Sequence, residues 1–461
     1  MVMLMFFDRE YELKALEKAY ISDRAELIVI YGRRRLGKTR LVQEFLRKRG
    51  GIYLFTPRGS IKDVLNAYSY DIREQTGEYV SFADWRDFLD YLNYTGKKRR
   101  VIVIDEFQRL SKAYQPAITM LQDQWDKSLE RTKIKLILVG SAIGMIERIA
   151  LLKDAPLFGR KTRELRITSI PYIIMRKYWN TDEETRIHLF GVFGGTPGYF
   201  TMVNKNRDIY ENIKELILEP EGTLSRAPEQ LLAEETRSPS TYLSILASLA
   251  RSGRGLALSK IHVRKGSPTV YLRNLIKMDI VEKLKSLAQG DIIYVIKDEF
   301  FRFWFTHIYP RLALIEMRRG DLLLKMIREK MDEYISFTFE KILKELITMM
   351  SGKEIMGISL PAIDNIGAYW RRNIEIDACA TAKEMAIFGE AKWISRKITR
   401  RDIEKFTAKA EIATKDLKKK DWIGIYLARS GFSSDAKKLE SKKLLLLDLE
   451  ELGNVMDKFN V

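Results

Sequence analysis

The chain has one cysteine, Cys379, and only three scattered histidines, His188, His262 and His307. One thiol excludes an internal disulfide, and the set as a whole excludes a zinc site built from Cys and His. Any metal must then rest on carboxylates, hydroxyls or phosphates, which favours Mg2+ or Mn2+. Long apolar runs are missing too, since none approaches the roughly 20 residues of a membrane-spanning helix. The apolar start Met1–Phe7 has no basic residue before it and meets Asp8-Arg9-Glu10 at once, which argues against a secretory leader. These absences predict a cytoplasmic protein with no membrane partner.

Acidic residues are outnumbered, with 62 Asp+Glu against 80 Lys+Arg, a net charge of +18 over 461 residues. Nucleic acid is the first partner such a balance implies. The excess is concentrated. Residues 241–297 hold 10 Lys/Arg against 3 Asp/Glu, and residues 391–443 hold 16 against 7. A hydrophobic share of 46% is ordinary for a globular chain, and the length predicts about three domains.

Short apolar runs at Leu27–Tyr31, Val101–Ile104 and Ile134–Val139, with a further one at Gly51–Phe55, read as buried strands. Helical patterns at Glu10–Tyr20, Thr39–Lys48, Phe82–Leu92 and Ala113–Leu129 accompany them, which predicts an α/β domain with a parallel sheet. Past residue 175 the pattern turns helical, broken at Gly194–Gly198. Three short helical patterns (Thr241–Ser252, Leu258–His262, Ser267–Lys277) precede a hairpin with a turn around Gln289-Gly290-Asp291, a winged helix-turn-helix. In that segment Lys260, His262, Arg264, Lys265, Arg273 and Lys277 could face DNA, with Lys283 and Lys285 on the wing. The same module could instead pack on protein. The aromatic run Phe300–Phe305 exceeds what a surface tolerates and reads as core.

Gly32-Arg33-Arg34-Arg35-Leu36-Gly37-Lys38-Thr39 fits G-x-x-x-x-G-K-[ST] in full, between a buried strand and a helix that continues with Arg40. Glycines let backbone N–H groups curl around phosphates, and the helix start adds its positive end. Lys38 is expected on the β- and γ-phosphates and Thr39 on Mg2+. Asp105, ending the strand Val101–Ile104, is expected to hold Mg2+ through water, and Glu106 to polarise the attacking water. Ser141 ends another strand, where it could sense the γ-phosphate or simply close the strand.

With these motifs the sequence resembles the archaeal P-loop ATPases related to AAA+ and STAND proteins. Phe6–Leu16 (FFDREYELKAL), Pro156–Arg160 (PLFGR) and Gly194–Tyr199 (GGTPGY) are similar to three further signatures of that family. The resemblance implies ATP as ligand, Arg160 as a γ-phosphate or nucleotide-state sensor, and Pro197 where a helical lid meets the nucleotide. Arg160 could equally make a structural ion pair.

Ile374–Ala380 and Ile387–Trp393 read as paired strands. A turn at Thr381–Glu384 would set Asp377 across from residue 388 and diagonal to Glu390, so that Asp377, Glu390 and Lys392 converge on one face. Two carboxylates can hold Mg2+ or Mn2+, and the lysine can act on water. This D-x(n)-E-x-K arrangement resembles the PD-(D/E)xK restriction-endonuclease-like superfamily, which implies a further metal ligand on the preceding helix at Glu340.

The expected organisation is a P-loop ATPase core at 1–175, a helical lid at 176–235, a winged helix at 236–300, a linker at 301–330 and a nuclease-like α/β domain at 331–461. The expected function is ATP-dependent action on DNA with a metal-dependent nuclease site, self-association being compatible with it. The alternative is a nucleotide switch or initiator-like DNA-binding ATPase whose nuclease-like domain only binds.

Overall fold

The structure, a computed structural model, describes residues 9–264, 266–288, 292–371 and 373–459. The leader reading of Met1–Phe7, the first three residues of the opening FFDREYELKAL motif, Lys265 and the turn at Gln289–Asp291 fall outside them. Two compact units divide the chain, one ending at Thr168 and one starting at Ser169.

In the first unit five parallel strands are ordered β2-β3-β4-β1-β5: β1 Glu26–Tyr31, β2 Ile52–Phe55, β3 Val101–Asp105, β4 Lys135–Gly140 and β5 Arg163–Arg166. Every residue of β1, β3 and β4 is buried, as expected of central strands covered on both faces. Leu16 and Ala19 of the helix Glu10–Ile21, and Leu41, Val42 and Phe45 of the helix Lys38–Arg49, share one core cluster with Ile28, Ile30, Val103 and Val139. The helix expected over Phe82–Leu92 starts at Trp85, because the Asp84 carboxylate accepts from the N–H groups of Arg86 and Asp87 and caps it there. Sequence reading missed β5, whose residues Arg-Glu-Leu-Arg bury only Leu165.

In the second unit a winged helix is built from the helices Pro239–Ser252 and Pro268–Lys277 and a sheet ordered β6-β8-β7 (β6 Leu256–Ala257, β7 Val281–Lys285, β8 Ile292–Ile296). Ser267 caps the second of these helices by accepting from the Thr269 N–H. The aromatic run is core as expected: Phe300, Phe301, Phe303 and Trp304 are fully buried, and the Trp304 indole N–H donates to the Ser225 carbonyl. Most of the stretch 301–330, expected as a linker, is helical, and the 31-residue helix Gly320–Met350 runs unbroken through residue 330.

After a small hairpin (β9 Glu354–Ile355, β10 Ile358–Ser359) comes a sheet ordered β11-β12-β13-β14-β15. Its strands are β11 Asn365–Arg371, β12 Ile374–Thr381, β13 Met385–Lys392, β14 Asp421–Ala428 and β15 Leu444–Leu447. The first two pairings are antiparallel and the last two parallel. Ile403, Phe406, Ala410 and Ala413 of the helix Arg400–Asp416 pack into its core with Phe388 and Tyr426. The long helix lies against β13 at Gly389, where a Cβ would come within 2.8 Å of Leu343 Cδ2.

The wing does not stand free. Ser286 bridges to Ala368 of β11, the Leu287 N–H donates to the Ala368 carbonyl at 3.1 Å, and Ala288 is buried in the C-terminal core. Lys283 and Lys285, expected on a DNA-facing wing, remain exposed on β7.

Candidate phosphate and carboxylate sites

The loop 32–37 leaves β1 and enters the helix Lys38–Arg49. Gly32 passes so close to the neighbouring chain that a Cβ would lie 2.3 Å from the Ile167 carbonyl oxygen, and Gly37 takes a φ of +87°, open to glycine at little cost. Arg33 and Leu36 are buried, Arg34 and Arg35 half-buried, and Thr39 and Arg40 exposed. The Lys38 ammonium donates to the carbonyls of Gly32 (2.7 Å) and Arg33 (2.9 Å), spanning its own loop.

Because β4 lies between β1 and β3, the carboxyl ends of those strands bring Thr39, Asp105 and Glu106 together around Ser141. The Thr39 hydroxyl donates to Asp105 Oδ2 at 2.6 Å. Glu106, held at a φ of +54°, takes the Ser141 hydroxyl at 2.9 Å on Oε1, and the Gln108 amide (3.0 Å) and Arg109 guanidinium (3.1 Å) on Oε2. A hydroxyl and a carboxylate side by side at a helix start suit Mg2+.

Two contributors escaped the sequence reading. The Tyr53 hydroxyl donates to Asp105 Oδ2 at 2.7 Å, and nothing in the pattern of β2 marks it out. Buried Arg9 donates to the Leu36 carbonyl at 3.3 Å and the Thr168 carbonyl at 2.6 Å; its place in the opening FFDREYELKAL motif was the available signal. Arg160 is not joined to this group. Its guanidinium grips Asp126 at 2.7 and 2.9 Å and touches the Pro156 carbonyl, the structural ion pair that was the other reading. Pro197 lies in the second unit, at the first position of the short helix Pro197–Phe200.

In the second unit the hairpin register differs from expectation. Ala378 pairs with Gly389 and Thr381 with Ala386, which sets Asp377 level with Glu390 rather than with residue 388. The turn is centred one residue later, closed by the Ala382 N–H on the Met385 carbonyl at 2.9 Å. A shift of two in the partner preserves the side, so the three side chains still meet. Lys392 Nζ lies 2.8 Å from Glu390 Oε1 and 3.5 Å from Asp377 Oδ2, and the Ala391 N–H donates to Asp377 Oδ2 at 2.9 Å. Between the pairs Gly367–Cys379 and Tyr369–Ile376, β12 has two residues and β11 one, a bulge at Asp377-Ala378. Such a bulge turns side chains out of strict alternation.

Lys409, which sequence reading passed over, donates to Glu390 Oε1 at 3.4 Å and to the Glu375 carbonyl at 3.1 Å. Burial, then the Asp377 charge, pushes the Glu340 carboxyl up to about 7. The same two causes raise Glu390, against the pull of Lys392. Burial works against the Lys392 ammonium, yet Asp377 and Glu390 hold it above its usual value. The expected three-carboxylate metal set is corrected here. Among the described residues no three Asp, Glu, His or Cys side chains gather closely enough to hold an ion, and two ammonium groups already face Glu390. Glu390 Oε2 is nevertheless buried without a hydrogen-bond partner, and with Asp377 beside it this two-carboxylate set suits one divalent cation.

A phosphate loop ahead of a helix, facing an aspartate two strands away, is the site of a P-loop ATPase. A profile of an ATPase domain found predominantly in Archaea matches residues 6–203, and one described as archaeal and bacterial proteins of unknown function matches residues 304–406. An uncharacterized protein of Methanocaldococcus jannaschii, MJECL04, is 31% identical over 462 residues, covering 97% of this chain and 100% of its own. The chain belongs with it to a family of archaeal ATPases. An ATP-binding protein of the same organism, MJ0423, is 46% identical over 46 residues, 10% of this chain and 78% of its own. Among solved structures, a Walker-type ATPase of Pyrococcus abyssi is 20% identical with a TM-score of 0.49, covering 65% of this chain and 96% of its own. The ORC2 protein of Aeropyrum pernix, solved as ADPNP and ADP complexes, is 15% identical with a TM-score of 0.42, covering 70% and 95%.

Proposed function

We propose that the first unit binds and hydrolyses Mg·ATP, and that its nucleotide state governs how the chain engages DNA. The observation that carries the ATPase half is the Thr39–Asp105 contact of 2.6 Å beside a lysine resting on its own loop carbonyls. On this reading Lys38 leaves those carbonyls for the β- and γ-phosphates, Thr39 and Asp105 hold Mg2+, and Glu106 orients the attacking water. Bound there, the ion would neutralise charge on the phosphates. Lys38→Ala is expected to abolish ATP hydrolysis, and Glu106→Gln to leave ATP bound but uncut. Wild-type turnover in either variant refutes the assignment.

The limits expected for the core, the lid and the winged helix, the sensor role of Arg160 and the lid role of Pro197 belong to the same proposal. For the C-terminal sheet we propose a phosphodiesterase site. Asp377 and Glu390 would hold Mg2+ or Mn2+, and Lys392 would position the water that attacks phosphorus as the bond to the leaving oxygen breaks. The unpartnered Glu390 Oε2 supports it. Metal-dependent DNA cleavage that is lost in Asp377→Ala is the expected result. A second reading, a binding module without cleavage, is favoured by the absence of a gathered three-carboxylate set among the described residues. No cutting of duplex, single-stranded or branched DNA with either ion would establish that second reading.

A further inference from the structure

The carboxylate site opens into a cleft of about 770 Å³ between the winged helix, the long helix and the C-terminal sheet. A second cleft of about 630 Å³ adjoins it within the same unit. Both are lined by Val295 and Ile296 of β8, by Arg302, and by Glu333 and Phe337 of the long helix, so each begins where the other ends.

The second cleft differs in chemistry from the first. Tyr309 and Phe337, both half-buried, supply aromatic surface among a lining that includes buried Phe305 and Tyr334, and Arg251, Arg311, Lys330 and Glu333 bring three positive charges and one negative. Arg251 and Lys330 are exposed and Arg311 half-buried. Among the described residues none of these three meets a carboxylate, the Arg311 guanidinium donating to the His307 carbonyl at 3.2 Å. His307, 5% exposed, lines the same cleft, and its buried Nε2 has no hydrogen-bond partner. Burial, then the charges of Arg311, Arg302 and Lys330, lowers this imidazole to about 4, so it is neutral near pH 7 and able to donate or accept. Aromatic faces, a ring of cations and an unsatisfied polar atom suit a planar heterocycle joined to an anion.

Along the long helix Phe337 and Glu340 are one turn apart, roughly 5 Å at about 1.5 Å per residue. Phe337, Glu340, Asp377 and Glu390 line the same first cleft, so a strand stacked on Phe337 enters the cleft that holds both carboxylates.

We propose that the aromatic cleft takes a base of an unpaired nucleic-acid strand whose following phosphodiester reaches Asp377, Glu390 and Lys392. Its second half rests on the phosphodiesterase reading above; the first does not. A base inside a duplex is stacked on its neighbours and does not present a face to a concave wall, so the cleft selects single strands, ends or extruded bases.

The test is fluorescence anisotropy of the full chain with a labelled mixed-sequence single strand and its blunt duplex, in EDTA so that nothing is cut. The single strand is expected to bind more tightly, and Phe337→Ala to weaken it about fivefold to a hundredfold while sparing the duplex. Arg251→Ala with Lys330→Ala, both exposed, should flatten the salt dependence for single strands by about 1.4 units, at ~0.7 per phosphate contact. Circular dichroism melting checks that each variant folds. Unchanged single-strand binding in both variants overturns the proposal. So does displacement of the strand by AMP at equal concentration, which would make the cleft a mononucleotide site. Asp377→Ala separates the two readings, since it should stop cutting yet keep Phe337-dependent binding. Strand binding through Phe337 without any cutting by wild type removes only the phosphodiesterase reading. Cutting that survives Phe337→Ala with binding intact removes only the cleft.

Discussion

Glu345 illustrates how far a residue's neighbours override its chemistry. It projects from the long helix beside Lys341, accepts the Ile173 N–H at 3.4 Å, and is pushed up to about 7 chiefly by burial. A carboxyl raised in this way binds more protons folded than unfolded between about pH 4.5 and 7, so its contribution to stability falls as pH rises through that window. Glu345→Gln keeps an acceptor oxygen and removes the charge. It should leave stability unchanged below pH 4.5 and raise it by on the order of 3 kcal/mol above pH 7, a tenfold change in proton affinity being worth ~1.4 kcal/mol. Melting temperatures across that range check the prediction, and an equal gain at both ends would refute it. The phosphate loop, by contrast, is a local pattern. Lys38, Thr39, Asp105 and Glu106 are legible because the chemistry fixes residue type and spacing together. Tyr53 is not, because its hydroxyl reaches Asp105 from a strand 52 residues away in sequence.

At the scale of elements, strands with buried faces on both sides were visible as apolar runs, whereas β5, which buries one residue, left no such trace. Register depends on where a turn closes, and the hairpin β12–β13 closes one residue later than its composition implied. The bulge at Asp377 has no composition of its own. The docking of the wing is likewise set by contacts distant in sequence. Ser286, 1% exposed, donates to the Trp370 carbonyl at 3.0 Å and lies 3.1 Å from the Trp370 N–H, tying the end of β7 to the edge of the C-terminal sheet. Ser286→Ala strands both backbone groups and should cost about 1–3 kcal/mol, read as a lower denaturant midpoint with an unchanged slope. An unaltered midpoint would mean that the apolar seating of Leu287 and Ala288 carries the wing alone.

The whole molecule consists of two compact units with separate cores, one on each side of Thr168 in the chain. Thermal unfolding should accordingly show two transitions. ATP with Mg2+ at about a hundred times its dissociation constant should stabilise the first unit by ~2.7 kcal/mol and leave the second transition in place. Lys38→Ala should remove that stabilisation. A single transition that moves as one with nucleotide would mean that the units unfold together.

What the sequence determined by itself was local: the phosphate loop with its strand and helix, the buried aromatic run, and the residue types of the carboxylate site. Each follows from neighbours in the chain, where periodicity and spacing act directly. Only the tertiary structure decided that Arg160 binds Asp126 and that Lys409 joins Glu390. It alone seated the wing on β11 and set two clefts end to end along one helix. Those outcomes depend on surfaces far apart in sequence, where burial and electrostatics select the partner and no local pattern records the choice.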